Sequence, residues 1–214
     1  MPENEAARAK TRGFQNRFEA KSRPAFIRGL KAAVLRHRDK NIILGATASI
    51  AIYKACELVR RLQDENFDVT VVMTKEAEEL IKPIVFQSLS GNPVYRGLFD
   101  EPQGWKIEHV SLADKADLVL IAPATANIIG KIAGGISDDL LTCVVLATRA
   151  PVIICPAMNK NMFTNRIVQD NIKKLKVLGY KFVEPRQGRL ACGDIGVGCL
   201  AEVEEIVRQV KKLV

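Results

Sequence analysis

Three features of the chain predict a doubly wound, three-layer α/β fold. Continuous apolar runs of strand length recur, helical patterns alternate with them, and glycine or proline marks the junctions. KNIILGA (residues 40–46) is a β-branched run ending in Gly45 and Ala46. SIAIYKACELVRRLQDEN (49–66) then sets Ile50, Ala51, Lys54, Ala55, Leu58, Val59 and Leu62 at helical spacing, and FDVTVVMT (67–74) returns to strand character. Together they form a β-α-β unit. DLVLIAPA (117–124) and APVIICPA (150–157) are two further strands, separated by the helical DDLLTCVVLATR (138–149). A helix over 166–178 leads to a short fifth strand at Tyr180 to Val183, and a helix from Ala201 to Val214 closes the chain. Strands that are apolar throughout belong to a parallel sheet covered on both faces, whose ligands gather at the strands' carboxyl ends.

The 214 residues suit one domain with a tail, at 48% hydrophobic and 26% charged residues. The formal charge of +8 is unevenly placed: residues 1–40 hold 11 Lys and Arg against 4 Asp and Glu, and residues 41–214 hold 21 against 20. The division expected is a basic N-terminal extension, 1–40, and a folded domain, 41–214. The extension lacks the interleaved aromatics of a nucleic-acid module, so nucleic acid is not an expected partner. Three readings of it stand: a solvated or partly helical tail, an arm that docks a partner or another subunit, and an organellar presequence, against which Glu3, Glu5, Glu19 and the single Ser22 count. No apolar run reaches the roughly 18 residues of a membrane span, and a soluble, cytoplasmic protein is expected. The five cysteines show no C-x-x-C spacing, so no metal site is expected. Cys56, Cys143 and Cys155 read as buried small hydrophobes, which leaves Cys192 and Cys199 in RLACGDIGVGCLAE.

Three strand ends carry residues suited to ligand chemistry. In GATASIAIYK (45–54), Gly45 permits a tight turn and Thr47 and Ser49 place hydroxyls at a helix start, where a phosphate is favoured; Ser49 is equally a plain N-cap. APATANIIGKIAGGISDDLLT (122–142) ends a strand in small residues followed by a glycine-rich loop, where Thr125 and Asn127 can bond the polar edge of a flat ligand or cap the next helix. In CPAMNKNMF (155–163), Met158, Asn159 and Met162 directly follow a strand. His109, in WKIEHVSLADKAD, is the one histidine of the folded part, and no serine elbow or carboxylate pair accompanies it.

Taken in order, GATASIAIYK, His109 before SLADKADLVLIAPATAN, GKIAGGISDDLLT, PAMNKNM and ACGDIGVG resemble the homo-oligomeric flavin-containing cysteine decarboxylases over residues 41 to 214. PAMNKNM and ACGD are the most specific pieces. The resemblance implies a flavodoxin-like or Rossmann-like three-layer flavoprotein with FMN, its phosphate on Gly45, Thr47 and Ser49 near Thr74. It places the flavin against Pro123, Ala124, Thr125, Ala126, Asn127 and Ala157.

The same resemblance makes His109, Asn159 and Cys192 the catalytic residues, with Met162, Ala191 and Gly193 joining Asn159 at the substrate. The implied reaction is FMN-dependent decarboxylation of 4′-phosphopantothenoylcysteine to 4′-phosphopantetheine in coenzyme A biosynthesis. FMN oxidises the cysteine side chain, CO₂ leaves, and the hydride returns with a proton from the Cys192 thiol. Relatives that decarboxylate a peptidyl cysteine stop at the enethiol without this cysteine; that activity, or a flavin-binding regulatory role, is the alternative. Family members build the FMN site between subunits of trimers, so a homotrimer or higher oligomer is implied. Many bacterial members carry a second domain that joins cysteine to phosphopantothenate; here that step is expected to fall to another chain. Position 199 is often basic in bacterial members, where this chain has Cys199.

Overall fold

A computed structural model describes residues 40–98, 108–191 and 193–214. Six strands form one parallel sheet: β1 (Asn41–Ala46), β2 (Asp68–Met73), β3 (Val94–Tyr95), β4 (Leu118–Ala124), β5 (Val152–Pro156) and β6 (Lys181–Phe182). Their order, β3-β2-β1-β4-β5-β6, is that of a Rossmann-like sheet. The chain runs outward from β1 on one side and resumes at β4 on the other, so a crevice opens at the carboxyl ends of β1 and β4. All seven residues of β4 are buried, as a central strand with both faces covered requires.

Helices cover both faces. One core packs α1 (Tyr53–Asp64), α2 (Pro83–Ser90) and α8 (Val203–Leu213) on the sheet. Its stripes are short and regular: Ala55, Leu58, Val59 and Leu62 on α1, and Val203, Ile206, Val207 and Val210 on α8, at the spacing of one helix face. The opposite core takes α3 (Glu108–Lys115), α4 (Ala126–Gly134), α5 (Leu140–Ala147) and α7 (Arg166–Val177), with the single-turn α6 (Lys160–Thr164) leading into α7. Truncating a fully buried leucine of this core, such as Leu44→Ala, costs about 2–5 kcal/mol. No helix among the described residues is long and apolar enough to cross a membrane.

The expected strands and helices are present, beside a sixth sheet strand, β3, and helices α2 and α3 that the sequence pattern did not announce; four expectations need correction. The glycine-rich stretch after Asn127 is helical: α4 buries Ile128, Ile129, Ile132 and Ala133 on one face and ends at Gly135 in the left-handed region. Gly45 makes no turn. It is the fifth residue of β1, and a Cβ there would meet Leu141 of α5 at 2.6 Å, so its bareness serves close packing of helix on strand. Cys155 is fully buried, whereas Cys56 and Cys143 are only half-buried. Lastly, the chain around ACGD contains an antiparallel ribbon that periodicity did not reveal, β7 (Arg186–Arg189) against β8 (Ile195–Cys199).

Candidate functional site

The loops after β1, β4 and β5 meet the ribbon around a cavity of about 640 Å³, a size suited to a cofactor or small ligand. Ser49 and Ile50 line it from the first loop, Tyr53 and Lys54 from the first turn of α1, and Thr125 from the second loop. Ala157, Met158, Asn159 and Met162 line it from the third, and Arg186, Arg189, Leu190, Ala191 and Cys199 from the ribbon.

Local hydrogen bonds fix the three loops. The Thr47 hydroxyl, buried, donates to the Pro123 carbonyl at 2.7 Å and accepts from the Thr125 N–H at 3.2 Å, which joins the first loop to the second. The Ala157 N–H donates to the Ala124 carbonyl at 2.9 Å and joins the third to the second. The Thr74 N–H does the same for β2 and β1 through the Ala46 carbonyl at 3.1 Å. Ser49 and Thr125 are N-caps, of the 3-10 turn Ile50–Ile52 and of α4. Asn127 therefore lies inside α4 and does not cap it. Asn159 caps α6, its Oδ1 accepting from the Asn161 N–H at 2.8 Å, which holds the side chain at the cavity rim.

A backbone hydrogen bond ties the ribbon to the third loop. The Met158 N–H donates to the Gly198 carbonyl at 2.9 Å. Gly198 has φ +141, and a Cβ there would lie 2.2 Å from the Met158 carbonyl oxygen, so glycine is required both for conformation and for space. At the ribbon's tip the Leu190 N–H bonds the Asp194 carbonyl at 2.8 Å. Cys192 lies outside the described residues.

The sequence-based site residues divide into three groups. Ser49, Thr125, Ala157, Asn159, Met162 and Ala191 line the cavity. Gly45, Thr47, Thr74, Pro123, Ala124, Ala126 and Asn127 stand on or just behind the same sheet edge without lining it, and Gly193 sits at the ribbon tip with φ +94. His109 opens α3, in the helix layer opposite the one that contributes Ile50, Tyr53 and Lys54, and does not line the cavity of its own chain.

Sequence reasoning missed the cavity's cations, Lys54, Arg186 and Arg189, and the apolar rim of Ile50 and Tyr53. The available signal was two large apolar residues opening a helix on its solvent side, both 62% exposed. Beneath the site, burial pushes the Cys155 thiol far above its usual range, so it stays protonated and chemically quiet.

Residues 32–214 match the family described as Flavoprotein. The chain belongs to the flavoprotein family. This flavoprotein is 46% identical over 174 residues to the coenzyme A biosynthesis bifunctional protein CoaBC of Bacillus subtilis, covering 81% of the chain and 43% of that protein. It thus spans less than half the length of the bifunctional relatives. It is 42% identical over 175 residues to a probable phosphopantothenoylcysteine decarboxylase of Streptococcus mutans, covering 81% of the chain and 98% of that protein.

Among solved structures, the flavoprotein resembles a cysteine-to-serine mutant of PPC decarboxylase complexed with pantothenoylaminoethenethiol, with a TM-score of 0.73 and 32% identity over 81% of this chain and 97% of that one. It also resembles the FMN-dependent cysteine decarboxylase SpaF, with a TM-score of 0.73 and 28% identity over 82% and 98% of the two chains.

Proposed function

We propose that this flavoprotein decarboxylates 4′-phosphopantothenoylcysteine to 4′-phosphopantetheine with FMN as a recycled cofactor, a step of coenzyme A biosynthesis in the cytoplasm. The observation that carries the reading is the placement of Asn159 on the rim of one cavity with Thr125 and Ala157. It is supported by the 42% identity to a probable phosphopantothenoylcysteine decarboxylase of matching length.

The residues present fit FMN. Ala48, Ala51 and Ala157 keep side chains short where a flat ring must approach, Ile50, Tyr53 and Met158 supply apolar surface, and Ser49, Thr125 and Asn159 supply the few polar groups. Thr47 commits its hydroxyl to the second loop and its carbonyl to the Ser49 N–H, so it acts by holding the loops in register. Gly45, Thr74, Pro123, Ala124, Ala126 and Asn127 support the cradle from the sheet edge behind it. When bound, FMN supplies reversible two-electron oxidation of the cysteine side chain, the electron sink that loss of CO₂ otherwise lacks.

The chain's own residues then have distinct tasks. Asn159 hydrogen-bonds the departing carboxylate with a side chain that stays neutral, so the negative charge is held but not trapped. Met162, Ala191 and Gly193 enclose the substrate and limit water. Cys192 donates the proton that completes the thiol product, which requires it to be protonated at rest. His109 orients or deprotonates the reacting group. Because it stands in the opposite helix layer, it serves the cavity of a neighbouring copy, in keeping with a homotrimer or higher assembly.

Incubating the purified protein with phosphopantothenoylcysteine and weighing the product tests the reading. Loss of CO₂ with a saturated thiol product is expected, and failure to release CO₂ despite bound FMN would sink the proposal. Release that stops at the enethiol would mark a peptidyl-cysteine type of chemistry instead. Cys192→Ser should convert the first outcome into the second; unaltered phosphopantetheine formation by that variant would remove Cys192 from the proton-donor role.

A further inference from the structure

The cavity has a cationic end that decarboxylation itself does not employ. Lys54, Arg186 and Arg189 all line it. Glu202 faces two of them, with Oε1 2.8 Å from Arg186 Nε and Oε2 3.4 Å from Lys54 Nζ. Arg189 has no ion pair among the described residues. Three cations against one carboxylate leave an excess of two positive charges, on a cavity otherwise walled by Ile50, Tyr53, Met158, Met162 and Leu190. A dianion matches that excess, and planar guanidinium groups suit the oxygens of a phosphate monoester.

The ribbon is built to keep Arg186 at this position. Arg186 stands opposite Cys199 in the β7–β8 register, with Gly188 between Arg186 and Arg189 along β7. A Cβ at residue 188 would come within 2.9 Å of Arg186 Nη1 and 3.2 Å of Cys199 Sγ, so the bare Cα of Gly188 leaves room for the guanidinium to lie back along the ribbon. The charge on this ribbon comes from β7, and Cys199 on β8 occupies the facing position without charge.

We propose that Arg186 and Arg189, with Lys54 behind them, bind the terminal phosphate of the acyl-cysteine substrate and so select its phosphorylated form. The proposal rests on the reading above for the identity of the substrate, and its test separates the two. Affinities of the FMN-loaded protein for phosphopantothenoylcysteine and for pantothenoylcysteine are measured by calorimetry, for the wild type and for the R186Q/R189Q variant, with CO₂ release followed alongside. The wild type should prefer the phosphorylated compound, and the variant should lose at least about tenfold of that preference, as expected for removal of two charge-assisted bonds.

Equal preference in wild type and variant overturns the subsite, even if CO₂ is released and the reaction assignment stands. Selective phosphate-dependent binding without CO₂ release supports the subsite and overturns the reaction. FMN has a phosphate of its own, so retention of FMN and of riboflavin is compared in the same proteins. A variant that loses FMN but keeps riboflavin, with substrate preference intact, assigns the arginines to the cofactor and overturns the proposal. Gly188→Ala, which crowds Arg186 while retaining every charge, should reduce the preference in the same direction by a smaller factor.

Discussion

The sheet edge and the β7–β8 ribbon face each other across one cavity and are held by different means. The edge is made of strand ends whose side chains are buried on both faces, and its loops are stitched by Thr47 to Pro123 and Thr125, and by Ala157 to Ala124. The ribbon has two short strands, β7 mostly exposed and β8 buried only at its glycines, and is tied to the third loop through the backbone of Gly198 and Met158. A wall of the first kind can hold a cofactor through many turnovers. A flap of the second kind can release product, since little packing is lost when it shifts.

The largest expected effect comes from unseating the flap. In Gly198→Val the new side chain must occupy space 2.2 Å from the Met158 carbonyl oxygen at φ +141. The ribbon should leave the third loop, and turnover should fall by about a hundredfold or more, as displacement of catalytic groups by an ångström commonly does. Flavin should still copurify, because the wall is intact. Turnover within tenfold of wild type would show that docking of the ribbon at Met158 is not needed for the chemistry.

The reverse experiment breaks the wall. Thr47→Val keeps the shape but leaves the Pro123 carbonyl and the Thr125 N–H without their shared hydroxyl, at a cost of about 1–3 kcal/mol. Urea unfolding should show the loss, and FMN should wash out on dialysis, whereas Gly198→Val should retain it. If both variants lost flavin equally, the two regions would not be separable in the way their contacts imply.

The same contrast explains what the sequence made legible. DLVLIAPA and APVIICPA announce themselves because strands buried on both faces are apolar at every position. The ribbon hides because the buried positions of β8 are Gly196 and Gly198, so alternation exists in the backbone but not in side-chain hydrophobicity. Helix α4 was masked in a similar way by Gly130 and Gly134, although Ile128, Ile129, Ile132 and Ala133 already lay on one helical face. A Cβ at residue 130 would meet Asn171 of α7 at 3.9 Å, an ordinary contact, so space does not demand glycine there. The polar half of the site was readable at Ser49, Thr125 and Asn159, each a cap at a strand-to-helix junction. Arg186 and Arg189 were not, since the cavity brings them together with Lys54 only through the ribbon's fold.

A smaller effect should separate the wall's supporting layer from the ribbon by pH. Asp139 caps α5 in a capping box with Thr142 and pairs with Lys131 at 2.8 Å. Burial acts to raise its pKa, but Lys131 and the Thr142 N–H and hydroxyl outweigh burial and hold the carboxyl below its usual range. A carboxyl depressed in the folded state contributes stability above its unfolded pKa of about 3.9, and the contribution is lost as pH falls through the lower folded value. Wild type should therefore lose more stability between about pH 5 and pH 3 than Asp139→Asn, which keeps a capping side chain but no titrating charge. At pH 7 the variant should be weaker by about 1 kcal/mol, from the ion pair and charge-assisted bonds it forgoes. The two stability curves should converge at low pH, and parallel curves would place the acid sensitivity elsewhere, for example at Asp117, also held low through Asn41 and Lys40 against the effect of burial.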